Sequence, residues 1–104
     1  MSWLILLASG VLEAVWATAL GKSDGFTRLL PSLVFGLALI LSMGGLAFAM
    51  RALPVGTSYA VWVGVGAALT VAYAVVFDGE PASALKVLFV LGIVGCVVGL
   101  KAVG

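Results

Sequence analysis

Residues 3–20 read WLILLASGVLEAVWATAL, an apolar run interrupted by one ionisable side chain, Glu13. Eighteen residues with no other charge are long enough to cross a hydrocarbon core of about 30 Å as a helix. An ionised carboxylate at mid-span costs at least ~2.5 kcal/mol on insertion scales. A chain keeps such a group where it pairs with something, faces water, or takes up and releases a proton. Helical spacing sets Ser9, Gly10, Glu13, Trp16 and Ala17 on one face, at i−4, i−3, i, i+3 and i+4. That face carries an acid, a hydroxyl and an indole donor, with small residues leaving room beside the acid. It reads as a site. The plainer alternative is structural glue, with Trp16 and Ser9 tying off the carboxylate.

The rest of the chain agrees with a membrane setting. Of 104 residues, 64% are hydrophobic and only 9% charged, against roughly 45–50% apolar and ~25% charged in a soluble domain. The mean hydropathy is +1.36. So short and apolar a chain is expected to form one domain, residues 1–104, lying almost wholly in lipid. A net charge of +1 points neither to nucleic acid nor to a polybasic anchor. There is no His, and the one cysteine, Cys96, lies in an apolar run. Neither a disulfide framework nor a Cys/His metal site is expected, and no cofactor is called for. Without a basic n-region, and with Glu13 inside it, the first run is not expected to be a cleaved signal peptide.

Four apolar runs alternate with three polar joints, predicting transmembrane helices over about 3–20, 30–50, 55–77 and 83–101. Gly21–Arg28, Arg51–Pro54 and Asp78–Pro81 are the joints, rich in glycine, proline and charge. Pro31, Pro54 and Pro81 fall where helices are expected to begin, where a missing N–H does no harm. Short joints make neighbouring helices antiparallel. Arg51 and Lys101 then lie on the N-terminal side, and Lys22, Arg28 and Lys86 on the other. Three basic residues against two barely engage the positive-inside rule. Four helices are also too few to enclose a transport path. Two copies inserted oppositely would supply an eight-helix unit with a two-fold axis in the membrane plane.

Three further features stand out. Gly92, Gly95 and Gly99 form a small-residue stripe on the fourth helix, a candidate dimer-packing surface. The same stripe could instead pack within the chain. On the third helix Tyr59 and Trp62 share a face, offering a hydroxyl, an indole N–H and two π surfaces. Gly64 and Gly66 follow, and glycine pairs are recognised causes of kinks, which would suit a gate. On the second helix Ser42 is a lone mid-span hydroxyl. Such a serine usually bonds its own i−4 carbonyl, so alone it says little.

A carboxylate that titrates near neutral pH can hold a proton or, once ionised, a cation, but holds both together poorly. If the empty ionised site crosses the membrane badly, that competition becomes exchange. A second Glu13 brought near would titrate with the first as a coupled pair. Aromatic faces add cation–π attraction, and a planar guanidinium matches a carboxylate through two parallel N–H···O bonds. The expected ligand is a monovalent organic cation.

The stretches GVLEAVWATAL (residues 10–20), GFTRLLPS (residues 25–32) and LPVGTSYAVW-x-GVG (residues 53–66), with the terminal GLK (residues 99–101), closely resemble the small multidrug resistance family and its guanidinium-exporting subtype. The resemblance runs along essentially the whole chain. It implies an all-α membrane protein working as an antiparallel, dual-topology homodimer in a bacterial inner membrane. It also implies exchange of protons for guanidinium by alternating access, with Glu13 as the shared site. The family pattern sets Trp16, Ser42, Tyr59 and Trp62 around that acid and so raises the standing of Ser42. Trp16 favours the guanidinium subtype, because the polyaromatic-drug exporters usually carry a small residue there. Val63 departs from the subtype's common Thr or Ser, and Gly21-Lys22 departs from its usual Lys-aromatic order.

Three alternatives remain at this level. One is a broader exporter of quaternary ammonium or aromatic cations, against which Trp16 argues by narrowing the space beside the acid. Another is a dual-topology channel, for which the chain lacks polar lining. The third is a partner subunit of a heterodimer, which would be expected to have lost the acid or gained a charge bias. Enzymatic activity is not expected, since no nucleophile–base set is present.

Overall fold

The computed structural model describes residues 2–103. Four helices follow one another: α1 (Ser2–Lys22), α2 (Leu29–Ala49), α3 (Val55–Phe77) and α4 (Ala84–Val103). Each is long and apolar enough to cross a membrane. The boundaries fall within a few residues of the sequence expectation, with one instructive shift. Gly21 and Lys22 continue α1, and the turn begins only at Ser23. The Ser23 hydroxyl donates to the Leu20 carbonyl at 2.7 Å and accepts the Phe26 N–H at 3.1 Å. Asp24, Gly25 and Phe26 take positive φ angles of 50°, 69° and 68° in succession. Gly25 and Asp24 tolerate that region readily, whereas Phe26 does not, so the Ser23 bonds fix a strained turn.

The prolines divide as helix geometry allows. Pro31 occupies the first turn of α2, and Pro54 immediately precedes α3. Pro81 lies in the connection before α4 rather than at its first residue. α3 is closed by Gly79 at φ 70°, with the Asp78 and Glu80 N–H groups both donating to the Ala74 carbonyl at 3.1 Å. Lys22, at the end of α1, pairs with Asp78 at 2.8 Å, and Lys86 with Glu80 at 3.0 Å. Both pairs are partly exposed, so they locate the ends of the helices more than they stabilise them.

The helices form a slab. α1 lies between α2 and α3, α4 packs on α3, and α2 and α3 touch little. The Cα extents are 40 × 34 × 17 Å and the radius of gyration is 14.3 Å, against about 13 Å for a compact chain of this length. The core is correspondingly small: Leu6, Leu46, Ala49, Val61 and Trp62, clustered between α1, α2 and α3. No described residue of α4 is buried. Such a layer leaves apolar side chains facing outward on both sides, which water would not tolerate and lipid does.

A candidate cation site on the slab face

Glu13 projects from the middle of α1 towards α3. The approach depends on Gly66, because a Cβ there would collide with the Glu13 carboxylate. Gly66 therefore makes room for the acid. Gly64, one turn-half earlier on a different face, makes room for Val97 of α4, and a Cβ would come within 2.7 Å of it. The helix runs unbroken from Val55 to Phe77. In this structure both glycines are contact points within a continuous helix, Gly66 against Glu13 and Gly64 against Val97.

The donors around the acid are arranged unevenly. The Trp62 indole N–H donates to the Ser42 hydroxyl at 3.0 Å, and Ser42 in turn donates to the backbone carbonyl of Ser9 at 2.7 Å. This chain ties α3 to α2 and α2 to α1 through buried groups. Ser42 thus does not bond its own i−4 carbonyl, as a lone serine would. The neighbouring helices supply a better-placed donor and acceptor. Ser9 follows the local rule instead, donating to Ile5 at 2.7 Å. Neither Ser9 nor Trp62 is then free for Glu13. One carboxylate oxygen of Glu13, the Trp16 indole N–H and the Ser58 hydroxyl are buried without a hydrogen-bond partner among the described residues. The structural-glue alternative fails on this point, because Trp16 and Ser9 do not tie off the acid.

Gly10 sits one turn from Glu13 and packs against Val65 and the Trp62 carbonyl, bringing α1 close to α3. Aromatic rings complete the face. Trp16 lies 6.4 Å from Trp62 and 5.9 Å, edge-on, from Phe35, and Tyr59 lies 5.8 Å from Trp62. Trp62 is nearly buried, while Tyr59 is half exposed. Glu13, Trp16, Ser42, Tyr59, Trp62 and Gly10 are thus gathered into one region. Val63 is half-buried against the core, an apolar position here. Phe35 was not singled out in the sequence, where it stands among leucines. It lies two turns before Ser42 on the same face of α2, and that spacing was its signal.

A large groove lies elsewhere. It holds about 630 Å³ between the Leu30 end of α2 and the Phe77 end of α3, floored by Val11, Val15 and Thr18 of α1. Val11 and Val15 stand two residues either side of Glu13 and so on the opposite side of the helix. The groove's lining is mostly apolar, its one charge is Lys22, and it holds no carboxylate to pair with a cation. Gly92, Gly95 and Gly99 of α4 face open space, with nothing within 4 Å of a Cβ at any of them. The fourth helix meets the rest of the chain by another face, through Ile93 and Val97.

A sequence profile of the small multidrug resistance protein matches residues 1–94. The chain belongs to the small multidrug resistance family. Relatives within it align over nearly the whole length. A protein of Proteus vulgaris named guanidinium exporter is 46% identical over 101 residues, covering 97% of each chain. A guanidinium exporter of Citrobacter freundii is 48% identical over 101 residues, covering 97% of this chain and 96% of the relative. The guanidinium exporter of Escherichia coli K12 is 48% identical over 99 residues, covering 91% of this chain and 94% of its own. Family membership and four spanning helices make this small multidrug resistance protein a multi-pass membrane protein of the transporter class.

Proposed function

We propose that this protein exports guanidinium in exchange for protons, with Glu13 as the common binding site of both. The observation that carries the reading is the unpaired, buried carboxylate oxygen of Glu13, one helical turn from the unpaired Trp16 indole, within a membrane span. Unmet acceptors in so apolar a setting are costly unless a ligand or a proton completes them. A guanidinium brings paired N–H donors in the plane that a carboxylate accepts, and Tyr59 and Trp62 offer π faces nearby. The relatives named guanidinium exporters support the choice of ligand over bulkier quaternary ammonium ions, as does the room that Trp16 fills.

The transporting unit is an antiparallel homodimer in a bacterial inner membrane, inserted in both orientations and working by alternating access. Two features favour it. Glu13 lies on the face of a slab that encloses no path by itself, and the Gly92, Gly95 and Gly99 edge of α4 is unoccupied and smooth enough for close helix approach. A second copy turned over in the membrane would set two Glu13 faces opposite one another and leave the pair of α4 helices to hold the dimer.

Replacing Glu13 by Gln keeps the size of the side chain and removes the charge that the proton and the cation share. Purified Glu13→Gln is expected to remain dimeric and helical by light scattering and circular dichroism, yet to lose guanidinium-driven proton movement entirely. Retained exchange in that variant would remove Glu13 from the centre of the mechanism.

A further inference from the structure

Five aromatic rings follow one another across the Glu13 face, and two of them, Phe26 and Phe35, have no role in the function proposed above. Phe26, in the turn between α1 and α2, stands 5.5 Å from Phe35 with the planes at 63°. Phe35 stands 5.9 Å from Trp16, Trp16 stands 6.4 Å from Trp62, and Trp62 stands 5.8 Å from Tyr59. Tyr59 lies in the second turn of α3, near the opposite end of the helices from Phe26. The row therefore starts at one end of the slab, passes Glu13 at its middle, and finishes near the other end.

We propose that Phe26 and Phe35 are the approach limb of the cation path, handing an organic cation from the α1–α2 turn to Trp16 and Glu13. This rests on the reading of the protein as a cation exporter. A cation is attracted to a ring face within about 6 Å of its centroid. With steps of 5.5–6.4 Å, the attractive zones of successive rings overlap. Along α2 the limb carries no free hydroxyl. Ser32, the one hydroxyl of this stretch of α2, donates to the Arg28 carbonyl at 2.7 Å. Lys22 is tied to Asp78, and the turn itself carries one charge of each sign, Asp24 and Arg28. Phe26 is more than half exposed and Phe35 is half-buried, a gradation from mouth to site. The positive φ of Phe26, held by Ser23, fixes the outer ring on this face.

A ring that only lines the path lowers the barrier to arrival and departure alike and leaves the final affinity unchanged. In liposomes containing the full chain, Phe35→Leu is expected to lower kcat/KM for guanidinium about fivefold. Its equilibrium Kd for guanidinium, from calorimetry, should stay within about a factor of two. Phe35→Tyr, which keeps a π face, should restore kcat/KM. Phe26→Leu, at an exposed turn position, should show the same split and serves if Phe35→Leu does not fold. An unchanged kcat/KM in the folded variants overturns the proposal, and so does a Kd that rises in step with the loss of kcat/KM, because Phe35 would then belong to the packing of the site. Absence of guanidinium exchange in the unaltered protein would instead overturn the exporter reading itself.

Discussion

Glu13 and Ser42 show how differently two polar residues in lipid can be used. Glu13 is left with an open acceptor, and Ser42 is used twice, once as donor and once as acceptor. Ser42→Ala removes both bonds and strands the Trp62 N–H. Interhelical bonds of this kind in membranes average about 0.6 kcal/mol, so with the stranded donor the loss should be about 1–2 kcal/mol of stability. Reversible unfolding in mixed micelles would measure it, and no loss would mean that the bonds are readily replaced. Glu13 was legible in the sequence because a lone charge in an apolar span has few explanations. Ser42 was legible only through the family resemblance, because its partners lie 33 and 20 residues away and nothing local reveals them. Gly66 has a second use that its own helix does not reveal. Read locally it is a place to bend, and in the fold it is also the space that admits a carboxylate from another helix.

At the scale of the helices, the length of the apolar runs between polar joints gave all four spans with little ambiguity. The turns were harder, since Gly21-Lys22 looks like the start of a loop and is instead the last turn of α1. What ends the helix is the hydroxyl of Ser23, a weaker signal than a glycine pair. α4 is the element with the most unused surface. It touches α3 through Ile93 and Val97 against Gly64, while Gly92, Gly95 and Gly99 face away. If that free edge pairs with a second α4, Gly95→Leu should separate the dimer without changing the fold of the single chain. Multi-angle light scattering in detergent should give half the protein mass, with the helical circular dichroism signal unchanged. A variant that stays dimeric would shift the contact to another face.

At the scale of the molecule, the flat arrangement bears directly on topology. Arg51 and Lys101 lie at one end of the helices, and Lys22, Arg28 and Lys86 at the other, where Lys22 and Lys86 are paired with Asp78 and Glu80. Basic residues alone then give almost no preference for either orientation. C-terminal reporter fusions should accordingly be active on both sides of the membrane, and activity on one side only would contradict an antiparallel homodimer. This level was the least legible in the sequence. Charge counts pointed to two orientations, but the slab shape that leaves one chain without an enclosed path arises from which helix faces pack, and the apolar runs look alike on every side. The most direct test of proton-coupled guanidinium export uses the purified protein in sealed liposomes carrying an internal pH indicator. An imposed guanidinium gradient should drive protons the opposite way, while an equal tetraethylammonium gradient should drive few or none. Guanidinium movement without protons would contradict a shared site at Glu13.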